Sequence, residues 1–399
     1  MDLGRLGHLS YSTLVHPGDT WADIKSSIST YLVEVKSRVC PKDDFGVSLR
    51  LSHASVETLI NNPRERQWLR SFLDENHMYL YTVNAFPYGP FKDRVVMEDV
   101  YEPDWTTNDR TSYTIQIAKL LTELTPSHIE PSIQSAPLAF APNVRDDKYV
   151  ETFTGNVLEV VAALWRLEKE TGRRVKLALE PEPACYLETT DETVAYFTDR
   201  IYTPAAAQDL ARRGAMPLSE AQGALTRYLG IVFDIGHQSV GFEDIPTSLS
   251  ALVDAGIPIF KLQEAAALRV NNLSEDMVPA LRRFTDTIYL SQTTLRQGNN
   301  LTKFLHLGDA LDSYLADPVE TELRCHFHVP VFLEEIGPFT TTRFAVQEAL
   351  AIHRANPLSD HLEIETYTWD VLPDELKTGN IVDYLSNELT FVTDALGHD

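Results

Sequence analysis

Two hydrophobic periods take turns along this chain. Short, nearly continuous apolar runs of strand length precede longer stretches in which apolar residues recur every three or four positions. Leu9 to Val15 reads as a first strand. Trp21, Ile24, Ile28, Leu32 and Val35 then mark one face of a helix, with Asp19 or Thr20 as its cap. Phe45 to Ser52, Met78 to Ala85 and a weaker run, Ser132 to Phe140, are the next strands. Helical material over Val56–His77 and Tyr113–Leu124 separates them, and Phe86-Pro-Tyr-Gly89 breaks the third. Phe153, Val157, Val160, Val161, Leu164 and Leu167 mark a strong helix that Gly172 ends. Strands five to eight are Val175 to Glu180, Leu229 to Asp234, Ile259 to Glu264 and Leu362 to Thr368. Helices through Leu249, Leu252 and Val253, over Arg343–Arg354 and over Asn380–Leu396 complete the alternation.

Eight strands alternating with helices predict an α/β fold, one (β/α)8 TIM barrel over residues 1–399 with helical insertions on its C-terminal face. The length of 399 residues suits two average domains or one elaborated barrel. The segments at about 184–227 and 266–322 follow C-terminal strand ends, where barrels build substrate lids. Arg324-Cys-His-Phe-His-Val-Pro-Val-Phe332 is also strand-like and makes a ninth. Here it is taken as an extended piece of the loop after strand seven.

Composition narrows the function classes. A hydrophobic content of 43% and a charged content of 23% fit a soluble globular protein. A net charge of −24 and the lack of a Lys/Arg cluster disfavour nucleic-acid binding. The N-terminus lacks the apolar core of a signal peptide, and no apolar run approaches a membrane span. Three scattered cysteines, Cys40, Cys185 and Cys325, point to a reducing compartment, hence the cytoplasm, and away from a disulfide framework. The sequons at Asn272 and Asn300 are then chance matches. No Walker loop, dinucleotide-binding glycine motif or nucleophile elbow is present, which disfavours nucleotide kinases, Rossmann enzymes and α/β hydrolases.

The candidate chemistry lies at strand ends. Strand five ends in Glu180, followed by Pro181-Glu-Pro183; strand six ends in Asp234, with His237 three residues on; the last carries Glu365. In a barrel these ends converge on one mouth, so the three groups can meet on one ion. Each has a plainer reading: Glu180 closes a strand at the surface, Asp234 caps the next turn, His237 is a satisfied polar group, and Glu363 competes with Glu365. Gly236 would allow a tight turn. Gln263 sits where a strand-seven ligand is expected, beside Glu264, but a neutral amide binds weakly. His326-x-His328 can share a face of an extended segment and grip an ion or an oxyanion. We assign Glu180, Asp234, Gln263, His326 and Glu365 to one divalent metal (Mn, Mg, Co, Fe or Zn), and Glu180 and Glu365 to catalysis. His237, His328, His16, Asn84 and Arg50 are assigned to substrate. His8 and His53 are further polar residues near the early strands.

The ordered set Glu180, Asp234-x-x-His237, a polar strand-seven residue, His326-x-His328 and Glu365 resembles the xylose isomerase-like barrel superfamily. Its strands five to eight supply Glu, Asp, His and Glu to a divalent metal. More specifically, the chain resembles the metabolite traffic protein EboE family. The carrying segments are Gly7-His-Leu-Ser-Tyr-Ser-Thr-Leu-Val-His-Pro-Gly18, Asn84-Ala-Phe-Pro-Tyr-Gly89, Val100-Tyr-Glu-Pro-Asp-Trp105, Leu179-Glu-Pro-Glu-Pro183, Phe233-Asp-Ile-Gly-His237, His326-Phe-His328 and Glu365-Thr-Tyr-Thr-Trp-Asp370. That resemblance implies a role in processing or moving secondary-metabolite precursors. Gln263 departs from the superfamily's histidine; the departure weakens the site, shifts the nitrogen ligand to His326 or His328, or leaves a site that binds without turnover. The expected function is a metal-dependent isomerase or epimerase of a polyhydroxylated small molecule, in a chain compatible with homo-oligomers. The alternatives are a non-catalytic metabolite-binding barrel and, disfavoured by the acidic charge, a metal-dependent phosphoesterase.

Overall fold

The structure, a computed structural model, describes residues 1–92, 95–285, 288–373, 377 and 379–397; the side chain of Asp370 lies outside the described part. Seven parallel strands come first: β1 (His8–Tyr11), β2 (Phe45–Arg50), β3 (Met78–Asn84), β4 (Ser132–Ser135), β5 (Lys176–Leu179), β6 (Leu229–Asp234) and β7 (Ile259–Glu264). After Ala265 the chain runs into a second sheet made of β8 (Ala266–Val270), β9 (Thr293–Gln297), β10 (Asn300–Phe304), β11 (Glu322–Val329), β12 (Glu335–Ile336) and β13 (Phe339–Thr341). It then returns as β14 (His361–Ile364).

The first sheet has the order β1-β14-β7-β6-β5-β4-β3-β2, and a parallel bridge from Ser12 to Ser48 joins its ends into a ring. Every residue of β2 to β6 is buried, which is why most of these strands appear in the sequence as largely apolar runs; β4, Ser-Ile-Gln-Ser, buries polar residues instead and reads more weakly. Helices cover the outside. The longest, Asp147–Thr171, is capped by the Asp146 side chain and ends at Gly172, whose φ of 70° suits glycine. No helix among the described residues is long and apolar enough to cross a membrane.

Several predicted boundaries move. The first strand ends at Tyr11, and Thr13–Val15 forms a 3-10 turn. The fourth ends at Ser135, because Pro137 has no N–H to donate and Leu138 has a φ of 72°. The last ends at Ile364, before a 3-10 turn at Tyr367–Val371. The helical stretch after β2 is two helices, His53–Asn61 and Pro63–Glu75, because Asn62 caps a new helix that Pro63 starts.

The larger correction concerns the ninth strand. The segment around Arg324 is not a loop; it is β11, the centre of the second sheet, paired antiparallel with β8 and β9. The insertion after β7 is therefore largely β, whereas that after β5 is helical, with Thr190–Tyr196, Pro204–Gly214 and Leu218–Tyr228. Alternation along β11 suits a strand with one face against the barrel mouth, and strand periodicity cannot say which sheet a strand joins.

Candidate active site

The barrel strands deliver three carboxylates to one point. Glu180 follows β5, Asp234 ends β6 and Glu365 follows β14; all three are buried. Between them stands the Gln263 side chain from β7. Its amide nitrogen lies 2.9 Å from Glu180 Oε1, 2.6 Å from Asp234 Oδ2 and 2.8 Å from Glu365 Oε2. One NH2 group has two hydrogens, so it cannot satisfy three acceptors at full strength. The Gln263 carbonyl oxygen is buried with no hydrogen-bond partner.

The remaining carboxylate oxygens are also held. Gln134 donates to Glu180 Oε2 at 2.6 Å, and Asn84 donates to Glu365 Oε1 at 2.8 Å. Asp234 Oδ1 accepts the His237 N–H at 2.8 Å and so caps the helix Ile235–Val240. Thus Asp234 both caps and faces the cluster. Gly236 sits in this helix, not in a turn; a Cβ there would lie 3.1 Å from Ala265 Cβ and from Asp234 Oδ1.

Three imidazoles adjoin the carboxylates. His237 comes from the start of the helix after β6; His326 and His328 come from β11. The β11–β8 register shifts between Cys325 and His328, a bulge that places both histidines over the barrel while Phe327 packs against Phe284. His326 Nε2 is 3.1 Å from His237 Nε2 and 2.9 Å from His328 Nε2. His237 Nε2 is also 3.8 Å from Asp234 Oδ2.

Burial dominates the electrostatics. It pushes the Glu180 carboxyl well above the usual range, helped by the Glu365 and Asp234 charges, and does the same to Glu365, helped by Glu363 and Asp234. It also raises Asp234, against the pull of His328 and of donated hydrogen bonds. Glu182 is pushed up to about 8 by burial, although Tyr101 and Gln292 donate to it. His237 and His328 are pulled down to about 4 and His326 well below its usual value, again by burial first.

A small pocket with a cavity volume of about 50 Å³ opens over this cluster. Its floor includes Asn84, Gln134, Glu180, Glu182, His237, Gln292, His326 and Glu365, and its walls include Phe86, Phe91, Tyr101, Tyr289 and Tyr367. Apolar walls over a few convergent polar groups suit a small-molecule site. Buried His, Asp and Glu side chains within ligand distance of one another also fit a divalent ion: His237, His326 and His328; Glu180, Asp234 and His237; and Asp234, His328 and Glu365.

Two predicted substrate residues lie elsewhere. His16 bonds the Tyr11 hydroxyl at 2.9 Å and stacks on Tyr31, with centroids 4.5 Å apart. Arg50 points its guanidinium at Gly18, Asp19 and Gly89 and ties loops together, because a buried cation must be spent on local acceptors. His328 is not in the pocket lining but sits against His326. Glu363 also separates from Glu365: it pairs with Lys261 at 3.0 Å. Sequence reasoning missed Glu182, Gln134, Tyr101 and Gln292. The only sequence signal was the pair of prolines holding Glu182; Gln292 lay unmarked in an insertion.

No family model and no curated protein matches the chain. Solved structures do. A xylose isomerase-like TIM barrel protein from Mycobacterium smegmatis, in complex with magnesium, is 9% identical with a TM-score of 0.51, covering 98% of this chain and 96% of its own. The IOLI protein with a binding zinc atom is 11% identical with a TM-score of 0.44, covering 98% of each chain. The closed ring of eight parallel strands and the first of these likenesses establish that the fold is a xylose isomerase-like TIM barrel.

Proposed function

We propose that this barrel is a divalent-metal-dependent isomerase or epimerase acting on a sugar or sugar-like polyol. The observation that carries the reading is the pairing of Glu180 and Glu365. Both line the pocket, both face one point at the Gln263 amide, and burial raises the proton affinity of both. A general base works best when its pKa lies near the working pH, and raising a carboxyl moves it that way. Glu180, once ionised, takes the proton from the carbon beside a carbonyl. Glu365, carrying a proton, returns one to the neighbouring carbon or to the opposite face. Gln134 and Asn84 hold the two carboxyl groups in place, and the aromatic walls limit water. The ion's donors are drawn from Glu180, Asp234, Glu365, His237, His326 and His328, and when bound it supplies a Lewis acid for vicinal substrate oxygens. The magnesium and zinc in the structural neighbours agree with a divalent ion in this fold.

The resemblance of segments such as Phe233-Asp-Ile-Gly-His237 and His326-Phe-His328 to the metabolite traffic protein EboE family supports placing the reaction in the processing or trafficking of secondary-metabolite precursors. A second reading, a barrel that binds a metabolite without converting it, draws on Gln263, whose amide stands among the three carboxylates.

The test is hydrogen exchange. Protein loaded in turn with Mn²⁺, Mg²⁺, Co²⁺, Fe²⁺ or Zn²⁺ is incubated with aldoses, ketoses and inososes in deuterated water. Deuterium entering beside a carbonyl, and failing to enter with Glu180→Gln, supports the isomerase. No exchange with any pair, alongside a metabolite that stays bound through purification, favours the binding barrel.

A further inference from the structure

The three histidines carry a more specific message than a shared pocket floor. Each has its Nδ1 turned to an acceptor. His237 Nδ1 lies 3.0 Å from the Pro181 carbonyl oxygen, and His328 Nδ1 lies 2.6 Å from the Glu365 carbonyl oxygen. A backbone carbonyl only accepts, so both rings carry their proton on Nδ1. His326 Nδ1 lies 2.9 Å from Gln292 Oε1. The Gln292 amide is oriented by its other end, which donates to the Pro183 carbonyl at 3.2 Å, so its oxygen faces the ring and His326 also carries its proton on Nδ1.

In a neutral imidazole protonated at Nδ1, Nε2 bears a bare lone pair. All three Nε2 atoms therefore present lone pairs to one another, at 3.1 and 2.9 Å across His326 and within 4.8 Å for the whole set. No protein donor can lie between atoms this close, and the arrangement is repulsive unless a positive centre joins them. Nitrogen ligands at ~2.1 Å from a common ion are about 3.0–3.4 Å apart, for octahedral to tetrahedral angles. Rings that ligate through one nitrogen and donate the other N–H to a carbonyl or amide are the usual form of metal-bound histidine.

We infer that His237, His326 and His328 form a three-nitrogen site for a borderline divalent transition metal, of the zinc, cobalt or iron(II) class, with its open positions facing the pocket. The ion sits on the imidazoles and not in the carboxylate cage, because the Gln263 amide fills that cage. His237 and His326 line the pocket, so a substrate oxygen can reach the ion there. Asp234 Oδ2, 3.8 Å from His237 Nε2, is placed to serve as a fourth ligand. Three imidazoles select against magnesium, which prefers oxygen. The departure at Gln263 is thus offset by the bulge in β11: the nitrogen donors that the barrel floor lacks arrive from the second sheet. This site rests on reading the pocket as metal-dependent but not on sugar chemistry.

The experiment loads metal-free protein with Co²⁺. One Co²⁺ per chain with visible d–d absorption is expected, displaced by Zn²⁺ and not by millimolar Mg²⁺. The wild-type Co²⁺ protein should show three exchangeable, paramagnetically shifted proton signals, one for each Nδ1–H. His326→Gln should weaken Co²⁺ binding by more than about 100-fold, whereas Glu180→Gln should change it only a few-fold. Near-UV circular dichroism checks that both variants fold, and the wild-type proton signals stand even if His326→Gln does not. Fewer than three shifted signals, Mg²⁺ displacing Co²⁺, or loss of Co²⁺ in Glu180→Gln with retention in His326→Gln would put the ion in the carboxylate cage and overturn the site. Failure to bind Co²⁺ at all would leave a shared proton among the rings and would overturn it too. Three signals without deuterium exchange on any sugar would instead sink the isomerase reading and leave the site standing.

Discussion

Two neighbouring layers of the barrel interior solve the same problem differently. Lys261 and Gln263 stand two residues apart on β7, and Glu363 and Glu365 are spaced likewise at β14. In the lower layer the Lys261 ammonium lies 3.0 Å from Glu363 and 2.7 Å from Gln134 Oε1, and Ser48 also donates to Glu363. Charge meets charge. In the upper layer three carboxylates meet one neutral amide. Gln134 joins the layers, accepting from Lys261 and donating to Glu180. Buried carboxylates left without a cation are costly, so an uncompensated cluster beside a pocket points to chemistry, whereas a compensated one points to architecture. The lesson is that acidic residues two apart on one strand can serve separate ends, and their partners tell which.

The largest effect should separate the layers by activity. Glu180→Gln or Glu365→Gln is expected to cut turnover by ~10²- to 10⁴-fold, the usual worth of a general acid or base, without lowering the melting temperature. A variant that melts early would place its carboxyl in the architectural layer instead. Lys261→Met should do the reverse and lose about 3–5 kcal/mol of stability by stranding Glu363, read from urea unfolding. A neutral outcome would mean that the Lys261–Glu363 pair carries no structural weight.

pH sharpens the contrast. Burial raises Glu182 from the ordinary 4.5 to about 8, so the folded state keeps a proton that the unfolded chain has lost. Stability contributed this way is present below pH 4.5 and is lost as pH rises to about 8. His237 and His328, lowered from 6.5 to about 4, act oppositely: their contribution is present above pH 6.5 and is lost as pH falls towards 4. Above pH 6.5 the imidazoles no longer contribute, and each such carboxyl should cost metal-free protein up to about 1.4 kcal/mol per pH unit, offset in part by the buried Met1 amino group, which is lowered from 8.0 to about 5. Unfolding midpoints between pH 6.5 and 8 should show this slope, and Glu182→Gln should flatten it. Gln263→Leu should then cost metal-free protein about 1–3 kcal/mol, the penalty for buried acceptors without a donor. The smallest change is His16→Phe, which keeps the stack on Tyr31, loses one hydrogen bond worth ~1 kcal/mol and should leave turnover as it was. A marked change in KM there would return His16 to the substrate site.

Much of the barrel was legible because its strands are buried on both faces and its helices on one, so each leaves its own period in the chain. The strand-end position of Glu180, Asp234, Gln263 and Glu365 followed from the same periods. His16 and Arg50 misled for a physical reason: they also sit near C-terminal strand ends, but their side chains are spent on neighbouring loops, and loop packing has no period. The Arg324 segment was legible as a strand but not as a member of the second sheet.

By itself, then, the sequence determined the ring of eight strands and the carboxylates at its mouth, because burial and strand length are local properties. Only the tertiary structure decided that Gln263 faces three carboxylates through its nitrogen, that Glu363 belongs to Lys261, and that three histidines from two distant segments turn their Nε2 atoms together. Those outcomes depend on the closure of the ring, on the register shift between β8 and β11, and on which acceptor meets each Nδ1. They are fixed by contacts between residues about 30 to 280 positions apart, such as Asp234 with Gln263, His237 with His326 and Asn84 with Glu365.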